Sequence, residues 1–450
     1  MQILSMNVAK KHHSQSYRYY NRVVRAAALR LLLRLCLPLW AIEKRFNPIP
    51  NDGRKRILVI IIGGMGDCLL FDPLLRRLKE QWPQACIDVL TGSFEQMWSQ
   101  METVDNLMLF KPTKFKTPWA YARLFRTIFR RSYDIVAEGI AMVPKRGIYP
   151  LLTAYIMQAS AASVRIGRRN TGRLEALRPR RLDFIGYAEI KARKAHKLDR
   201  DTNPYLSHTI DVPPPHGRDS HESAYIFSPL NVPFRRYPDE PKLLPDERFD
   251  RWARTLLREQ WGSLADRMIA MTVETTRQIK AWPLESFAWI MESGVRDGYK
   301  FVLLGLEKQR AAHLSQRFGA DSVINLAGTT DLAQMIGLIR QCDLFVSCDT
   351  GPAHVAQACR IPTVVLFGPS NEKEFGPVDP DLHTMVLPPE PLGCRPCILG
   401  PCVRGQSCMQ LIRPQTVYLA MKKVMAGAPD GAEARVPKPR KHVQQRLCEI

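Results

Sequence analysis

Three stretches of the sequence predict an α/β protein with two strand-and-helix halves facing a cleft. The first is RILVIIIGGMGDCLLFDPLLRRLK over 56–79: an Ile- and Val-rich run, a glycine turn, then apolar residues at helical spacing (Leu69, Leu70, Pro73, Leu74, Leu75, Leu78). An unbroken apolar run of this kind reads as a strand buried on both faces by parallel neighbours. The second is DLFVSCDTGPAHVA over 343–356, again a strand that stops at a glycine turn and opens a helix. The third is the Pro- and turn-rich 204–245, VPPPHG included, which reads as the end of one domain and a linker. Strand, glycine turn and helix together place a ligand crevice at the carboxyl ends of the strands, so each half is Rossmann-like.

Taken in order, residues 1–50 form a basic extension with nine Lys and Arg against one Glu. It contains AAALRLLLRLCLPLWAI over 26–42, which reads as a helix. A signal peptide does not fit, because the charged leader is long and no clear small-residue cleavage site follows. A spanning helix does not fit either: Arg30 and Arg34 would each cost ~2.5–3.5 kcal/mol at a bilayer centre, and Pro38 follows. The expectation is a helix lying in the headgroup region, with membrane contact through residues 20–45; the alternative is a helix docked on the protein's own core.

The N-terminal domain is expected over 51–245. After the first strand and helix, Pro83 ends the helix, and Cys86–Leu90 and Asp134–Ala137 read as further strands. Residues 165–200 are dense in Arg and Lys, read as a solvated face or mobile loop, with a cradle for a multiply phosphorylated acceptor as the functional alternative. The C-terminal domain is expected over 246–425, with strands at 268–273, 301–304, 323–325, 344–347 and 363–367 and helices at 284–297, 307–318, 331–341 and 352–360. The Pro-, Lys- and Arg-rich 426–450 reads as a disordered tail.

Composition agrees with this plan. A chain of 450 residues that is 45% hydrophobic can build two domains with appendages. Its formal charge of +22 calls for anionic partners such as a membrane surface or a phosphorylated substrate. No zinc-finger, RNA-recognition or helix-turn-helix signature is present, so nucleic acid is not an expected partner. Cys68, Cys86, Cys342, Cys348 and Cys359 lie in or beside the core elements and read as buried free thiols of a reducing compartment. Cys394, Cys397, Cys402 and Cys408 form a C-x2-C-x4-C-x5-C block that can hold a structural tetrahedral zinc, with a reduced cluster or disulfides as alternatives.

The chemistry is expected at the strand ends. At the first turn, Gly63, Gly64 and Gly66 are followed by Asp67. A carboxylate there repels a nucleotide phosphate and suits a proton acceptor instead. At the second turn, Asp349, Thr350, Gly351 and His354 surround a helix N-terminus that favours a diphosphate, with Thr350 either donating to phosphate or capping the helix. In TTRQIKAWP over 275–283, Thr275, Thr276 and Lys280 form a phosphate clamp, unless the hydroxyls only cap and the Lys only faces water. Glu307, in the Gly305-Leu306-Glu307 turn, either accepts from ribose hydroxyls or sits favourably at a helix start.

Together these residues resemble the ADP-heptose:lipopolysaccharide heptosyltransferases, glycosyltransferase family 9. The resemblance rests on ILVIIIGGMGD (57–67) with Pro73, TTRQIKAWP, GLE (305–307), AGTTDLAQMIGLIRQCDLFVSCDTGPAHVA (327–356), PTVVLFGPS (362–370) and the cysteine block, and spans roughly 55–425. It implies a GT-B fold, an acceptor-binding N-terminal domain, an ADP-sugar-binding C-terminal domain, and inverting transfer with no required cofactor. Asp67 then matches the catalytic base. Thr275, Thr276, Lys280, Glu307, Asp349, Thr350, Gly351 and His354 match donor-site positions, with Asp349 on sugar hydroxyls. The implied acceptor is an anionic glycolipid of the lipopolysaccharide core, met at the cytoplasmic face of the inner membrane. Alternatives are a transferase using another nucleotide sugar and a non-catalytic membrane-associated binding protein. An NAD-dependent oxidoreductase is disfavoured, because the first turn lacks the G-x-G-x-x-G spacing and Asp67 stands where pyrophosphate would lie.

Overall fold

The structure, a computed structural model, describes residues 31–45, 52–110, 118–141, 149–168, 208–210, 227–232, 240–262, 267–397, 402, 406–427 and 446–448. Most of the basic stretch, much of the Pro-rich linker and residues 20–30 of the expected membrane segment lie outside them.

The N-terminal half runs α1 (31–45), β1 (Arg56–Ile62), α2 (Met65–Leu69), α3 (Asp72–Gln81), β2 (Cys86–Thr91), α4 (Glu95–Trp98), β3 (Asn106–Leu109), α5 (Pro118–Arg131), β4 (Ile135–Ala141), α6 (Tyr149–Ser160), β5 (Val164–Arg168) and β6 (His208–Ile210). Strand β1 is central, parallel to β2 on one side and β4 on the other. Its side chains alternate between two cores: Ile57, Val59 and Ile61 face one with Leu69, Leu74 and Leu75, while Leu58, Ile60 and Ile62 face another with Leu33, Trp40, Phe125 and Tyr155. Helices cover both faces, which is why the strand is apolar throughout rather than at every second residue. The helical pattern read across 69–78 is two helices: α2 stops at Leu69, and α3 restarts with Pro73 at its second position, where proline's fixed φ and missing N–H are tolerated.

The C-terminal half runs α7 (Glu247–Trp261), β7 (Met268–Thr272), α8 (Leu284–Arg296), β8 (Lys300–Leu304), α9 (Lys308–Ser315), β9 (Val323–Asn325), α10 (Leu332–Gln341), β10 (Leu344–Cys348), α11 (Gly351–Ala358), β11 (Thr363–Leu366), α12 (Glu372–Phe375), β12 (His383–Val386), α13 (Pro414–Gly427) and β13 (Arg446–Cys448). Its sheet has the order β12-β11-β10-β7-β8-β9, with every neighbouring pair parallel. The five strands read from its sequence are all present; β12 was not anticipated, since HTMV is too short and mixed to announce itself.

The last strand differs most from expectation. Residues 446–448, expected within a disordered tail, form β13, which pairs parallel to β3 at the edge of the N-terminal sheet. The order there is β13-β3-β2-β1-β4-β5-β6 among the described residues. A Lys- and Arg-rich composition does not reveal a three-residue strand whose partner lies more than 300 positions away. The basic stretch likewise begins in β5, where Arg165 is half-buried rather than in a loop.

The strap over 240–246 is stitched to both halves. Lys242 N–H donates to Asp72 Oδ2 (2.9 Å) and Leu244 N–H to the Gln100 carbonyl (2.8 Å), both in the first half. Leu243 N–H donates to the Ala358 carbonyl (3.0 Å), and the buried Arg340 guanidinium donates to the carbonyls of Leu243 (2.9 Å) and Leu244 (2.7 Å). Backbone polar groups crossing an interior need such partners. Here they tie the start of α3 and the turn at Gln100 to the last turns of α10 and α11.

Candidate active site

Two glycine turns meet at this site, one from each half. Gly63 and Gly64 follow β1 and lead into α2; Asp349 and Thr350 follow β10 and lead into α11. A Cβ on Gly66 would lie 2.5 Å from His354 Cδ2, and one on Gly351 would lie 2.9 Å from Met65 Cβ. Both glycines are therefore required by close approach of α2 to α11. We expect Gly66→Ala to displace the His354 ring and cost about 1–3 kcal/mol of overpacking, read by thermal unfolding; an unchanged midpoint would refute the contact.

Asp67 sits in the first turn of α2, partly exposed, and accepts a hydrogen bond from Gly64 N–H at 3.0 Å. The contact fixes the carboxylate at the end of β1. Next to it, burial and then the Asp67 charge push the Cys68 thiol up to about 12, so that neighbour stays a neutral thiol.

Asp349 is the hub of the second turn. It is 5% exposed, and Lys280 Nζ donates to its Oδ2 at 2.6 Å and to its main-chain oxygen at 3.3 Å. His354 Nε2 lies 3.5 Å from Asp349 Oδ1. Burial alone would raise this carboxyl; the His354 hydrogen bond and the Lys280 ammonium outweigh it and hold the group well below the usual carboxylate range. An ammonium has three donors, so two bonds to Asp349 leave Lys280 a third for a ligand. Asp349 was read as a holder of sugar hydroxyls. Its buried carboxylate holds Lys280 on Oδ2 and lies beside His354 on Oδ1.

Thr350 occupies the N-cap position of α11, yet its side chain makes no cap bond, and its Oγ1 is buried without a hydrogen-bond partner among the described residues. His354 Nδ1 is in the same condition. Buried polar atoms left unmatched in a cleft are what a bound polar ligand would satisfy. Pro352, second in the helix, has no N–H, so α11 offers one backbone donor fewer than the turn alone implies.

The other sequence candidates stand at the neighbouring strand ends. Thr275 donates its hydroxyl to the Arg277 carbonyl at 2.7 Å, tying down the turn after β7, and Thr276 is exposed. Glu307 begins α9 with its carboxylate 57% exposed and 4.0 Å from Arg310 Nε. Glu274 was missed by sequence reasoning. Its carboxylate accepts from the N–H groups of both Leu306 and Glu307, and a Cβ on Gly305, at φ +129°, would lie 2.7 Å from it. Its sole sequence signal is a carboxylate just after β7. It sets the turn that presents Glu307.

In the cysteine block, Cys394 and Cys397 are half-buried, Cys402 is exposed and Cys408 is buried, and none of the four is disulfide-bonded. Among the described residues no group of three or more His, Cys, Asp or Glu is disposed to hold a metal ion. Of the scattered thiols, Cys68, Cys342, Cys348 and Cys359 are buried and Cys86 half-buried.

Comparison with known proteins adds to this geometry. Residues 232–403 match the family model described as glycosyltransferase family 9 (heptosyltransferase). The chain is 31% identical over 103 residues to lipooligosaccharide heptosyltransferase 2 of Campylobacter jejuni, a match covering 23% of this chain and 32% of that relative. It is 23% identical over 337 residues to lipopolysaccharide heptosyltransferase 2 of Salmonella typhimurium, covering 70% of this chain and 83% of the relative. In fold, it is similar to the solved structure of E. coli ADP-heptose LPS heptosyltransferase II, with a TM-score of 0.59 at 18% identity over 82% of this chain and 98% of that one.

Proposed function

We propose that the chain is a member of glycosyltransferase family 9, whose model its residues 232–403 match, and that it moves a heptose from ADP-heptose to an anionic glycolipid of the lipopolysaccharide core, by inverting transfer at the cytoplasmic face of the inner membrane. The observation that carries the reading is the meeting of the two turns: a carboxylate on α2 beside a helix start whose Thr350 hydroxyl and His354 ring nitrogen lack partners.

In this mechanism Asp67 takes the proton of the acceptor hydroxyl as that oxygen attacks the anomeric carbon from the face opposite the leaving group. The glycosidic carbon–oxygen bond to ADP breaks, and its electron pair leaves on the diphosphate. Lys280, oriented by Asp349, meets that charge with its remaining N–H, together with the Thr350 hydroxyl and the positive end of α11. Thr275 and Thr276 stand at the neighbouring strand end for the same phosphates, and Glu307 for ribose hydroxyls. These groups do what a divalent cation does in metal-dependent transferases. The two named heptosyltransferases and the ADP-heptose enzyme of like fold support the choice of sugar.

The test is calorimetric binding of ADP, ADP-heptose, UDP, GDP and NAD in the presence of EDTA. We expect ADP and ADP-heptose to bind and the others to bind at least tenfold more weakly, about 1.4 kcal/mol. Preference for UDP or GDP would replace the donor and keep the transferase; binding of NAD alone would refute it.

A further inference from the structure

We propose that the outward face of α1 is a lipid-inserting ridge whose partner is an anionic phospholipid bilayer; the idea rests on the membrane-face reading above and adds the surface that makes the contact. Helix α1 is apolar on two sides. Its inner side buries Leu33 and Trp40 against α5 and α6, with Trp40 beside Phe129 at 6.1 Å between ring centroids. The sequence left two alternatives for this helix, headgroup or core, and its described part takes the core with that side. The opposite side keeps Leu31 (59%), Leu35 (62%), Leu39 (63%) and Ile42 (56%) exposed. At about 100° per residue these four fall within roughly 80° of one another, a single stripe. A helix docked on a water-facing domain carries polar residues there.

Charge selects the occupant. Arg34 and Arg45 are exposed along one margin of the stripe. Glu43 is the sole acid of α1, and it is held by Arg126 (2.5 Å) and Arg130 (3.3 Å) of α5. A second copy laid stripe to stripe would bring arginines together with no acid on the face to match them. Phosphate headgroups match them directly, and the leucines then reach the acyl boundary. With Leu33 and Trp40 packed into the core beside α5 and α6, the contact runs in the membrane plane.

The experiment is co-sedimentation of the full chain with vesicles of phosphatidylcholine alone and of equal parts phosphatidylcholine and phosphatidylglycerol. Leu35→Gln/Leu39→Gln is compared with wild type, and ADP calorimetry and thermal unfolding are run alongside. We expect wild type to bind the phosphatidylglycerol vesicles and the double variant to bind at least ~10-fold more weakly, from two leucines withdrawn from apolar contact, with ADP binding and melting unchanged. Equal binding by variant and wild type overturns the ridge. So does a wild-type protein that ignores the phosphatidylglycerol vesicles, whether monomeric or dimeric by light scattering. A wild type that binds ADP but not the phosphatidylglycerol vesicles sinks only this proposal; wild-type vesicle binding without ADP preference sinks only the transferase.

Discussion

Asp67→Asn is expected to lower sugar transfer about 10²–10⁴-fold while leaving ADP affinity within about twofold, the loss typical of a positioned general base. The prediction is sharp because the substitution is nearly silent for the fold. Asp67 accepts from Gly64 N–H, and the asparagine side-chain oxygen can accept the same bond. Melting temperature therefore separates a chemical effect from a structural one. Steady-state transfer on a lipopolysaccharide-core acceptor, with ADP calorimetry on the same preparation, makes the measurement. Turnover equal to wild type would remove Asp67 from the base role, and a parallel loss of ADP affinity would move it into the donor site.

Lys280→Met is expected to cost about 3–5 kcal/mol of stability, because it leaves the Asp349 carboxylate buried with one partner gone. It should also weaken ADP binding, which distinguishes it from a purely structural lesion. The pH dependence follows from the direction of the shift. In the wild type the Asp349 carboxyl lies below its unfolded value of about 3.9, so the stabilisation it contributes is complete above that value and is lost only as pH falls through the lower folded value. Near neutrality the wild type should show no dependence from this group. In Lys280→Met, burial is opposed by His354 alone, the carboxyl rises, and the destabilisation should be largest near pH 7 and shrink on acidification. Denaturant unfolding between pH 5 and 8 reads this out. A variant as stable as wild type at pH 7 would show that Lys280 does not compensate Asp349.

How much of this was available from the chain alone differs from element to element. The strands of the C-terminal half and β1 announced themselves as short apolar runs, because parallel strands covered on both faces carry their whole signal locally. The turn residues at 63–67 and 349–354 were likewise readable, since a glycine turn between strand and helix is a contiguous pattern. Glu274 was not, because its partners at 306 and 307 lie on the next strand's turn.

By itself, then, the sequence determined the two-half α/β plan, the positions of both glycine turns and the basic, apolar character of the N-terminal extension. Tertiary structure alone decided that Gly66 abuts His354 and Gly351 abuts Met65, and that Asp349 is buried with Lys280 and His354 against its carboxylate. It also decided that α1 buries Leu33 and Trp40 while leaving four large apolar side chains outside, and that residues 446–448 return to β3. The reason is one of range. Periodicity and turn chemistry are set by neighbours in the chain, whereas close approach, desolvation and charge pairing depend on groups brought together from distant positions by packing.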